Sequence, residues 1–370
     1  MIQALYVHLP FCQHICHYCD FAKMVAGKYI QARYVEALVR EIQLLEEDLS
    51  EVKTIYFGGG TPSSLSLEHL DQIVVELAKK VDLSKVSEWT IEANPNDVTE
   101  PFLTWAKRVG INRLSIGAQS FSKRLLSILG RDHHADQIRE AVRLAKAVGI
   151  TNINIDLIYG IPTQTRSEFR SDLEEVLALD LPHISLYSLI LEEKTILKHQ
   201  INQGILTMPD EDLVADLAEE ANAFFQEHGI HQYEFSNYAK EGHQSAHNLV
   251  YWHLQEYLGV GLAASSQVQE TRFTNDTTLK GYLHHVSSKG NGGRIEEPCD
   301  LAMEAFLMGL RLNEGVDLDQ YQIRFSKDPL TSYPALSKYL DKGLLEVVNR
   351  KIRFTDHGRM VSNVVLMELI

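Results

Sequence analysis

Six short β-rich runs alternate with longer amphipathic segments through the first half of this 370-residue sequence. The runs occupy residues 4–8, 54–57, 88–93, 113–117, 152–157 and 184–189. Between the first two, apolar residues recur at helical spacing at Tyr34, Leu38, Ile42 and Leu45, a period that predicts a helix. Repeated strand–helix units favour a parallel sheet with right-handed crossovers. Because there are six units and not eight, we predict an α/β fold with an incomplete (β/α)6 barrel.

Polar and glycine-rich segments follow at the ends of these runs. They are a cysteine-containing loop at 12–19, the glycines at 58–60, Glu92, Gln119 and Asp156. Taken singly, each is an ordinary turn or helix cap. The C-terminal ends of parallel strands meet at one edge of a barrel, so we expect these segments to converge on one mouth. There, glycines let the backbone approach a ligand, and strand-end carboxylates can accept hydrogen bonds from ribose or amine groups.

Three of the four cysteines lie in the loop after the first run, as Cys12, Cys16 and Cys19. At this C-x-x-x-C-x-x-C spacing, three thiolates can hold three irons of an iron–sulfur cube and leave the fourth iron open to a small molecule. An electron-transfer cluster usually takes four thiolates. The main alternative is a structural zinc site with His14 or His17 as the fourth ligand. Structural zinc modules usually pair two ligand knuckles, and no second pair lies nearby, so the cluster is favoured.

Charge and composition narrow the partners and the compartment. The formal net charge of -15 argues against a nucleic acid as main partner, because phosphate binding relies on Lys and Arg. The first residues lack the basic region and cleavage site of a signal peptide, and no apolar run approaches the ~20 residues that span a bilayer. The one remaining cysteine, Cys299, allows no disulfide framework. We therefore predict a cytoplasmic protein without a membrane segment.

Several motifs together resemble the radical S-adenosylmethionine (SAM) superfamily. They are the cysteine loop with an aromatic residue before its last Cys, the glycine loop at 58–62, and I-E-A-N-P at 91–95. Within it, L-S-I-G-A-Q-S-F at 114–121, L-G-R-D-H at 129–133 and D-L-I-Y-G-I-P at 156–162 resemble the oxygen-independent coproporphyrinogen III oxidases and their relatives. The resemblance implies a [4Fe-4S] cluster held by the three cysteines and chelated by SAM. One electron from such a cluster cleaves SAM to a 5′-deoxyadenosyl radical, so the cofactor carries the chemistry.

The resemblance also assigns residues to SAM. Tyr6 and Tyr18 would flank the cofactor, while Gly59, Gly60 and Thr61 would line its methionine end. No catalytic residue follows from the resemblance. The other positions that match SAM contacts of the family are Glu92, Gln119, Arg131, Asp156 and, near the adenosyl group, Ile190.

Three features distinguish two kinds of relative. The oxidases carry an extra cysteine two residues past the third, where this sequence has Phe21. They also carry an N-terminal extension, whereas here the first strand begins almost at once. Finally, residues 247–252 (H-N-L-V-Y-W) resemble the H-N-x-x-Y-W motif of the HemW-type haem chaperones. All three features favour the chaperones, and coproporphyrinogen oxidation is not expected.

The H-N-x-x-Y-W motif suits a haem site. His247 can ligate or approach haem iron as a neutral imidazole, and Tyr251 and Trp252 offer flat apolar surface to a porphyrin. The alternative is a packed histidine with a buried aromatic pair. The resemblance implies haem, an acceptor haemoprotein and an electron donor to the cluster as partners, and it leaves a homodimer and peripheral contact with membrane proteins open. Two other functions are disfavoured: a coproporphyrinogen III oxidase by Phe21, and a radical SAM enzyme acting on RNA by the acidic charge balance.

The chain divides into three predicted regions: a barrel at 1–200, a connecting region with the motif at 201–293, and a C-terminal module at 294–370. Residues 287–293 (S-S-K-G-N-G-G) are expected to be a flexible linker. Beyond it, predicted helices at 300–312, 332–341 and 356–366 and a hairpin at 344–354 suggest a winged-helix-like α+β module. Because this module has few clustered basic residues, a protein contact or a lid is a better prediction for it than DNA binding.

Overall fold

The computed structural model describes residues 1–369, which form a twelve-stranded and a three-stranded sheet. The centre of the larger sheet consists of six parallel strands in chain order. They are β1 (Ala4–Leu9), β2 (Thr54–Gly59), β3 (Glu88–Ala93), β4 (Arg113–Gln119), β5 (Asn152–Tyr159) and β6 (His183–Ser188). Each predicted run overlaps one of these strands, so the incomplete α/β barrel is confirmed.

Helices cover one face of the parallel strands. They are α1 (Lys28–Gln43), α2 (Leu67–Leu77), α3 (Glu100–Val109), α4 (Lys123–Leu129), α5 (Ala135–Ala147) and α6 (Arg166–Ala178). Helix α5 buries residues at helical spacing, including Ile138, Val142 and Ala145. Helix α6 starts at a capping box, in which the side chains of Thr165 and Glu168 each bond the other's backbone N–H. The amphipathic spacing and the caps explain why these segments are helical.

Residues 196–297 extend the sheet at both edges. Beside β6 lie two antiparallel strands, β7 (His231–Gln232) and β8 (Asn237–Ala239). Beside β1 lie the parallel β9 (Tyr257–Val260) and the antiparallel β10 (Ser265–Val268), β11 (Thr271–Thr274) and β12 (Ile295–Glu297). The helices of this region are α7 (Ile196–Asn202), α8 (Glu211–Glu227), α9 (Ala246–Trp252) and α10 (Leu279–Lys289). The sheet stays open, because its order ends at β12 and β7.

The two faces of the parallel strands differ in chemistry. On the helix-covered face, alternate residues such as Leu5, Ile55 and Ile116 are fully buried in the apolar core. On the opposite face, polar side chains bond one another across the strands, as between Asn154 and His183. Because successive side chains of a strand point to opposite faces, this alternation gives the barrel a polar interior. Buried strands of parallel sheets are usually apolar on both faces. The polar inner face is therefore unusual, and it indicates that the interior binds a ligand.

The C-terminal module contains a small antiparallel sheet with helices, as predicted. Its elements are α11 (Leu301–Leu310), β13 (Val316–Asp317), α12 (Leu318–Phe325), α13 (Pro329–Ser332), α14 (Ala335–Asp341), β14 (Leu345–Val348), β15 (Lys351–Phe354), α15 (Asp356–Met360) and α16 (Ser362–Leu369). The strand order is β13-β15-β14. The module has its own apolar core around Phe306, Leu336 and Ile352. No helix within residues 1–369 is both long and apolar enough to cross a membrane.

The prediction of a flexible linker at 287–293 was wrong. Its first three residues form the last turn of α10, which is capped by Gly290 with a positive φ of 76°. Gly292 is buried, and a Cβ there would lie 2.3 Å from the Asn275 side chain. These glycines therefore permit close packing and a left-handed turn, which a sequence cannot distinguish from flexibility.

Candidate functional site

The cysteine loop lies directly after β1, at the C-terminal edge of the parallel sheet. Cys12, Cys16 and Cys19 are half-buried and line one cavity of about 140 Å³. The loop is tied down at its start, where the Cys12 N–H donates to the Met24 carbonyl at 3.0 Å. Near its middle, the His17 N–H donates to the carbonyl of Leu129, at the end of α4, at 2.9 Å. The structure thus brings all three thiols to one place, as expected.

Side chains from outside the loop contact the thiols. The Thr61 hydroxyl donates to Cys12 Sγ at 3.5 Å, and Arg131 Nη1 donates to Cys16 Sγ at 3.4 Å. Burial raises the pKa of the Cys12 and Cys19 thiols. The hydrogen bond from Thr61 opposes this rise at Cys12, because a donor to the sulfur favours the thiolate, which is the form that binds metal.

The donor set fits an iron–sulfur cube. Within the part of the chain that the structure describes, no three His, Cys, Asp or Glu side chains are arranged to hold a single metal ion. A zinc ion would need each of its ligands within about 2.1–2.3 Å, whereas each thiolate of a cube binds a different iron. Of the two histidines considered for zinc, His17 has its Nδ1 3.0 Å from the Ile128 carbonyl. His14 has its Nδ1 3.4 Å from an Asp132 oxygen, and its Nε2 is buried without a partner.

The glycine loop after β2 forms the adjoining wall. A Cβ on Gly60 would lie 2.7 Å from the backbone of Pro10, and one on Gly59, with φ +117°, would lie 2.7 Å from the His8 ring. Only glycine fits at these two positions. Glycine here lets the loop pack closely against residues 8–11, and Gly59, Gly60 and Thr61 line the cavity of the thiols.

Glu92, on β3, is the first of two carboxylates on the polar face of the barrel, and the second lies on β5. Its Oε1 accepts from the Tyr56 hydroxyl at 2.8 Å, and its Oε2 accepts from the Gly59 N–H at 3.1 Å. Burial raises the pKa of Glu92 to about 7, although both hydrogen bonds and the Arg113 charge favour the ionised form. Glu92 can therefore either accept or donate a proton near neutral pH.

Asp156, on β5, is the second carboxylate. Its Oδ1 accepts from Asn154 Nδ2 at 2.7 Å, and Ser115 Oγ lies 3.4–3.5 Å from its two oxygens. Burial raises its pKa, and the hydrogen bond from Asn154 and the charge of Arg113 oppose that rise. Arg113 is 2% exposed at the start of β4. It was not foreseen as part of the site, although its place on the inward face of a parallel strand would have indicated it.

Gln119 and Arg131 face each other across the end of β4. Gln119 has a φ of 65° and follows a register irregularity of the strand, and backbone strain of this kind is common at functional sites. Arg131 Nη2 donates to the Gly117 carbonyl at 2.5 Å and to Asn94 Oδ1 at 2.8 Å, while its Nε is buried without a partner. An unpartnered buried donor beside three thiols fits a site that takes up an anionic group.

The remaining residues assigned to SAM lie in three different places. Tyr18 lines the cavity of the thiols. Tyr6 bonds His8 Nδ1 through its hydroxyl at 3.0 Å and lines a second cavity next to the first. Ile190, just past β6, is 70% exposed and lines neither cavity, so the structure does not bring it to the other residues.

The second cavity, of about 440 Å³, has an aromatic wall. Tyr6, Phe21, Tyr251 and Tyr257 contribute rings, and the cavity shares Phe21, Gly59 and Glu92 with the cavity of the thiols. Its other lining residues are His8, Ala22, Ala263 and Ser265. His8 was not predicted as a site residue, although it lies two residues after Tyr6 and therefore on the same face of β1. Tyr257 was missed because β9 is too short to be recognised.

The three haem candidates lie in different surroundings. His247 is 1% exposed, with Nδ1 2.8 Å from Thr54 Oγ1 and Nε2 2.7 Å from the Tyr251 hydroxyl. Tyr251 reaches the second cavity. Trp252 lies on the other side, where the Arg311 guanidinium is 5.1 Å from its ring. Only Tyr251 of the three is placed to touch a ligand in this structure.

Comparison with known proteins matches both parts of the chain to families. Residues 6–176 match the model of the radical SAM superfamily, and residues 297–361 match that of the HemN C-terminal domain. The heme chaperone HemW of Lactococcus lactis subsp. lactis is 37% identical to this chain, over 96% of it and 92% of the relative. HemW of Bacillus subtilis is 34% identical over 98% and 97%. The mitochondrial radical S-adenosyl methionine domain-containing protein 1 of Bos taurus is 33% identical over 99% and 87%.

A solved structure has the same architecture. The coproporphyrinogen III oxidase HemN from Escherichia coli, a radical SAM enzyme, superimposes with a TM-score of 0.85, covering 100% of this chain and 90% of that chain. The sequence identity is 24%, and the likeness therefore shows a shared fold.

Proposed function

The chain belongs to the HemW family of radical SAM proteins, and from this membership we propose that it is a haem chaperone. In this proposal it binds haem and a SAM-liganded [4Fe-4S] cluster, and it passes haem to an acceptor haemoprotein. The structural observation that carries the proposal is the pair of adjoining cavities, one lined by three thiols and the other by aromatic rings. A flat apolar ligand suits the aromatic cavity.

Cys12, Cys16 and Cys19 would hold the cluster, which with SAM supplies one-electron chemistry when bound. No fourth cysteine lines their cavity, which agrees with an iron left free for SAM. Thr61 and Arg131 would favour the thiolates through their hydrogen bonds to sulfur. An electron donor is needed to reduce such a cluster. Free thiols persist in reducing compartments, so the three cysteines favour a cytoplasmic location.

The polar residues around the thiols would orient SAM. Gly59, Gly60 and Thr61 would leave room for its methionine part, and Arg131 would attract a carboxylate, because its buried Nε lacks a partner. Tyr6 and Tyr18 would flank it. The other proposed contacts are Glu92, Gln119 and Asp156, which line the same cavity.

Haem would occupy the aromatic cavity, where Tyr6, Tyr251 and Tyr257 supply ring faces and edges. Tyr251 and Tyr257 are already packed edge to face, with ring centroids 4.6 Å apart. Phe21 is 74% exposed at the border of both cavities, where it would be covered on binding. Removing such rings from water stabilises a complex with a planar apolar ligand.

A coproporphyrinogen III oxidase is the second candidate, because the Escherichia coli oxidase has this fold. Phe21 counts against this candidate, since the oxidases carry a cysteine at the position that Phe21 occupies here. A single preparation of anaerobically reconstituted protein tests both candidates. One assay follows protoporphyrinogen formation from coproporphyrinogen III with SAM and a reductant. The other titrates haem and records its Soret band.

We expect a shifted Soret band with saturation and no decarboxylated product. Transfer is then tested by adding a haem-depleted haemoprotein and measuring the recovery of its spectrum, with free haem at the same concentration as the control. Turnover of coproporphyrinogen would overturn the chaperone proposal in favour of the oxidase. Absence of haem binding would overturn it as well.

A further inference from the structure

The H-N-x-x-Y-W motif lies on α9, whose first turn is fixed to the barrel by a buried carboxylate. Glu88, at the start of β3, is 6% exposed. It accepts from Ser245 Oγ at 3.2 Å and from the backbone N–H groups of Ala246 and His247 at 2.9 and 3.0 Å. Free N–H groups at a helix start need acceptors. The helix therefore has a defined position against β3.

His247 is enclosed on all sides. Its Nδ1 bonds Thr54 of β2 and its Nε2 bonds the Tyr251 hydroxyl, one turn later on α9. Its ring packs against Tyr56, with centroids 5.1 Å apart. Burial lowers the pKa of His247 to about 3, so the imidazole is neutral, with one nitrogen donating and the other accepting. Neither nitrogen has a lone pair free for an iron ion.

Tyr251 connects this enclosed histidine to the aromatic cavity. Its side chain lines the cavity together with Tyr6 and Glu92, and its ring meets that of Tyr257. The bond to His247 Nε2 fixes the phenol oxygen, and the ring contact fixes the plane. His247 thus links two residues by hydrogen bonds: Thr54 in the interior of the barrel and Tyr251 in the cavity wall.

We propose that His247 is a positioning residue for ligand binding: it anchors Tyr251 to Thr54, and Tyr251 is the motif residue that contacts the planar ligand in the aromatic cavity. This inference rests on the proposed function, in that haem is the ligand used to test it. It differs from the sequence-based prediction, in which His247 itself approaches the iron.

The test compares haem binding by full-length variants prepared alike. His247→Gln keeps an amide that can bond one of the two hydroxyls, so its affinity falls less than about threefold. His247→Ala removes both bonds and weakens binding about tenfold. Because His247 is not a ligand in the proposal, the axial-ligand signature in the electronic absorption and electron paramagnetic resonance spectra of ferric haem stays that of wild type in both variants. His243→Gln, at an exposed histidine of the preceding loop, is the matched control and binds as wild type.

A double-mutant cycle tests whether His247 acts through the Tyr251 hydroxyl. Tyr251→Phe alone weakens binding, and the pair His247→Ala/Tyr251→Phe is no weaker than His247→Ala, since the same contact is lost twice. Additive losses would overturn the proposal. An altered axial signature in His247→Gln would also overturn it and identify His247 as the ligand. Should His247→Ala not fold, the Gln and Phe variants decide the matter. If the wild-type chain binds no haem, the proposed function itself fails and the inference falls with it.

Discussion

Among single residues, the four cysteines provide an internal comparison. Cys12, Cys16 and Cys19 share one cavity wall, whereas Cys299 lies just before α11 and does not line that cavity. All four are half-buried, so accessibility alone does not separate them. The three cysteines of the loop differ from Cys299 because they line the same cavity.

We expect Cys16→Ala to prevent cluster assembly during anaerobic reconstitution, because the two remaining thiolates leave a second iron without a protein ligand. Cys299→Ala should assemble the cluster as wild type does. Iron and acid-labile sulfide analysis, with the visible absorbance of the cluster, measures both. A full iron content in Cys16→Ala would show that Cys16 is not a ligand.

Phe21 is an apolar ring exposed at the border of both cavities. Phe21→Ala should weaken haem binding roughly tenfold, because covering part of the ring contributes a share of the about 1.5–3 kcal/mol of a fully buried side chain. Tyr29→Ala is the matched control, since Tyr29 is 72% exposed and lines neither cavity. Titration of each variant gives the affinity. Equal losses in the two variants would place the haem elsewhere.

Among the elements, α6 determines the shape of the turn that follows β4. Asp172 of α6 is 2% exposed, and it accepts from Ser120 Oγ and from the Phe121 N–H, each at 2.7 Å. This turn directly follows Gln119, the last residue of β4, which has a positive φ and lines the cavity of the thiols. A buried carboxylate on a helix thus holds a residue of the site in place.

This contact has a pH dependence. Burial raises the pKa of Asp172 to about 7 from its ordinary 3.8, so the folded chain binds this proton more tightly than the unfolded chain. The contribution to stability is fully present below about pH 3.8 and is lost as the pH rises through about 7. Asp172→Asn can keep both hydrogen bonds and does not titrate. We expect the stability of wild type relative to this variant, from urea unfolding, to fall across that window and to level off above it. A difference that is independent of pH would contradict the assignment.

For the molecule as a whole, the C-terminal module packs against the connecting region, beside the motif helix. The guanidinium of Arg311, the residue directly after α11, lies 5.1 Å from the Trp252 ring and 4.9 Å from the Phe235 ring. Next to it, the Asn313 N–H donates to the Tyr233 carbonyl at 2.9 Å. The motif therefore has the aromatic cavity on one side and the C-terminal module on the other.

We expect Arg311→Ala to lower the free energy of unfolding by about 1–2 kcal/mol, because two partly desolvated cation–π contacts are lost. Arg350→Ala, which removes a 61% exposed arginine bonded to Asp319, is the control and should cost less than about 1 kcal/mol. Denaturant unfolding of both variants measures the difference. A loss at Arg311 no greater than that at Arg350 would show that this contact does not hold the module.

The barrel was predictable because its strands carry local signals. Each of the six has a buried β-rich run, and the rule that parallel strands end at one edge is enough to bring the cysteine loop, Gly59, Glu92 and Asp156 together. The edge strands β7 to β12 were not predictable. They have two to four residues each, too few for an alternation to show, and they exist because the barrel offers them an edge to pair with.

The sequence by itself determined the parallel units and the three thiols of one loop, since both depend on residues close together in the chain. The tertiary structure decided what the motif at 247–252 does. Thr54 and His247 are 193 residues apart and meet only because α9 packs against β2 and β3. Likewise, the aromatic cavity draws Tyr6, Phe21 and Tyr257 from distant segments. Hydrogen-bond partners and cavity walls follow from packing, and spacing along the chain does not encode them.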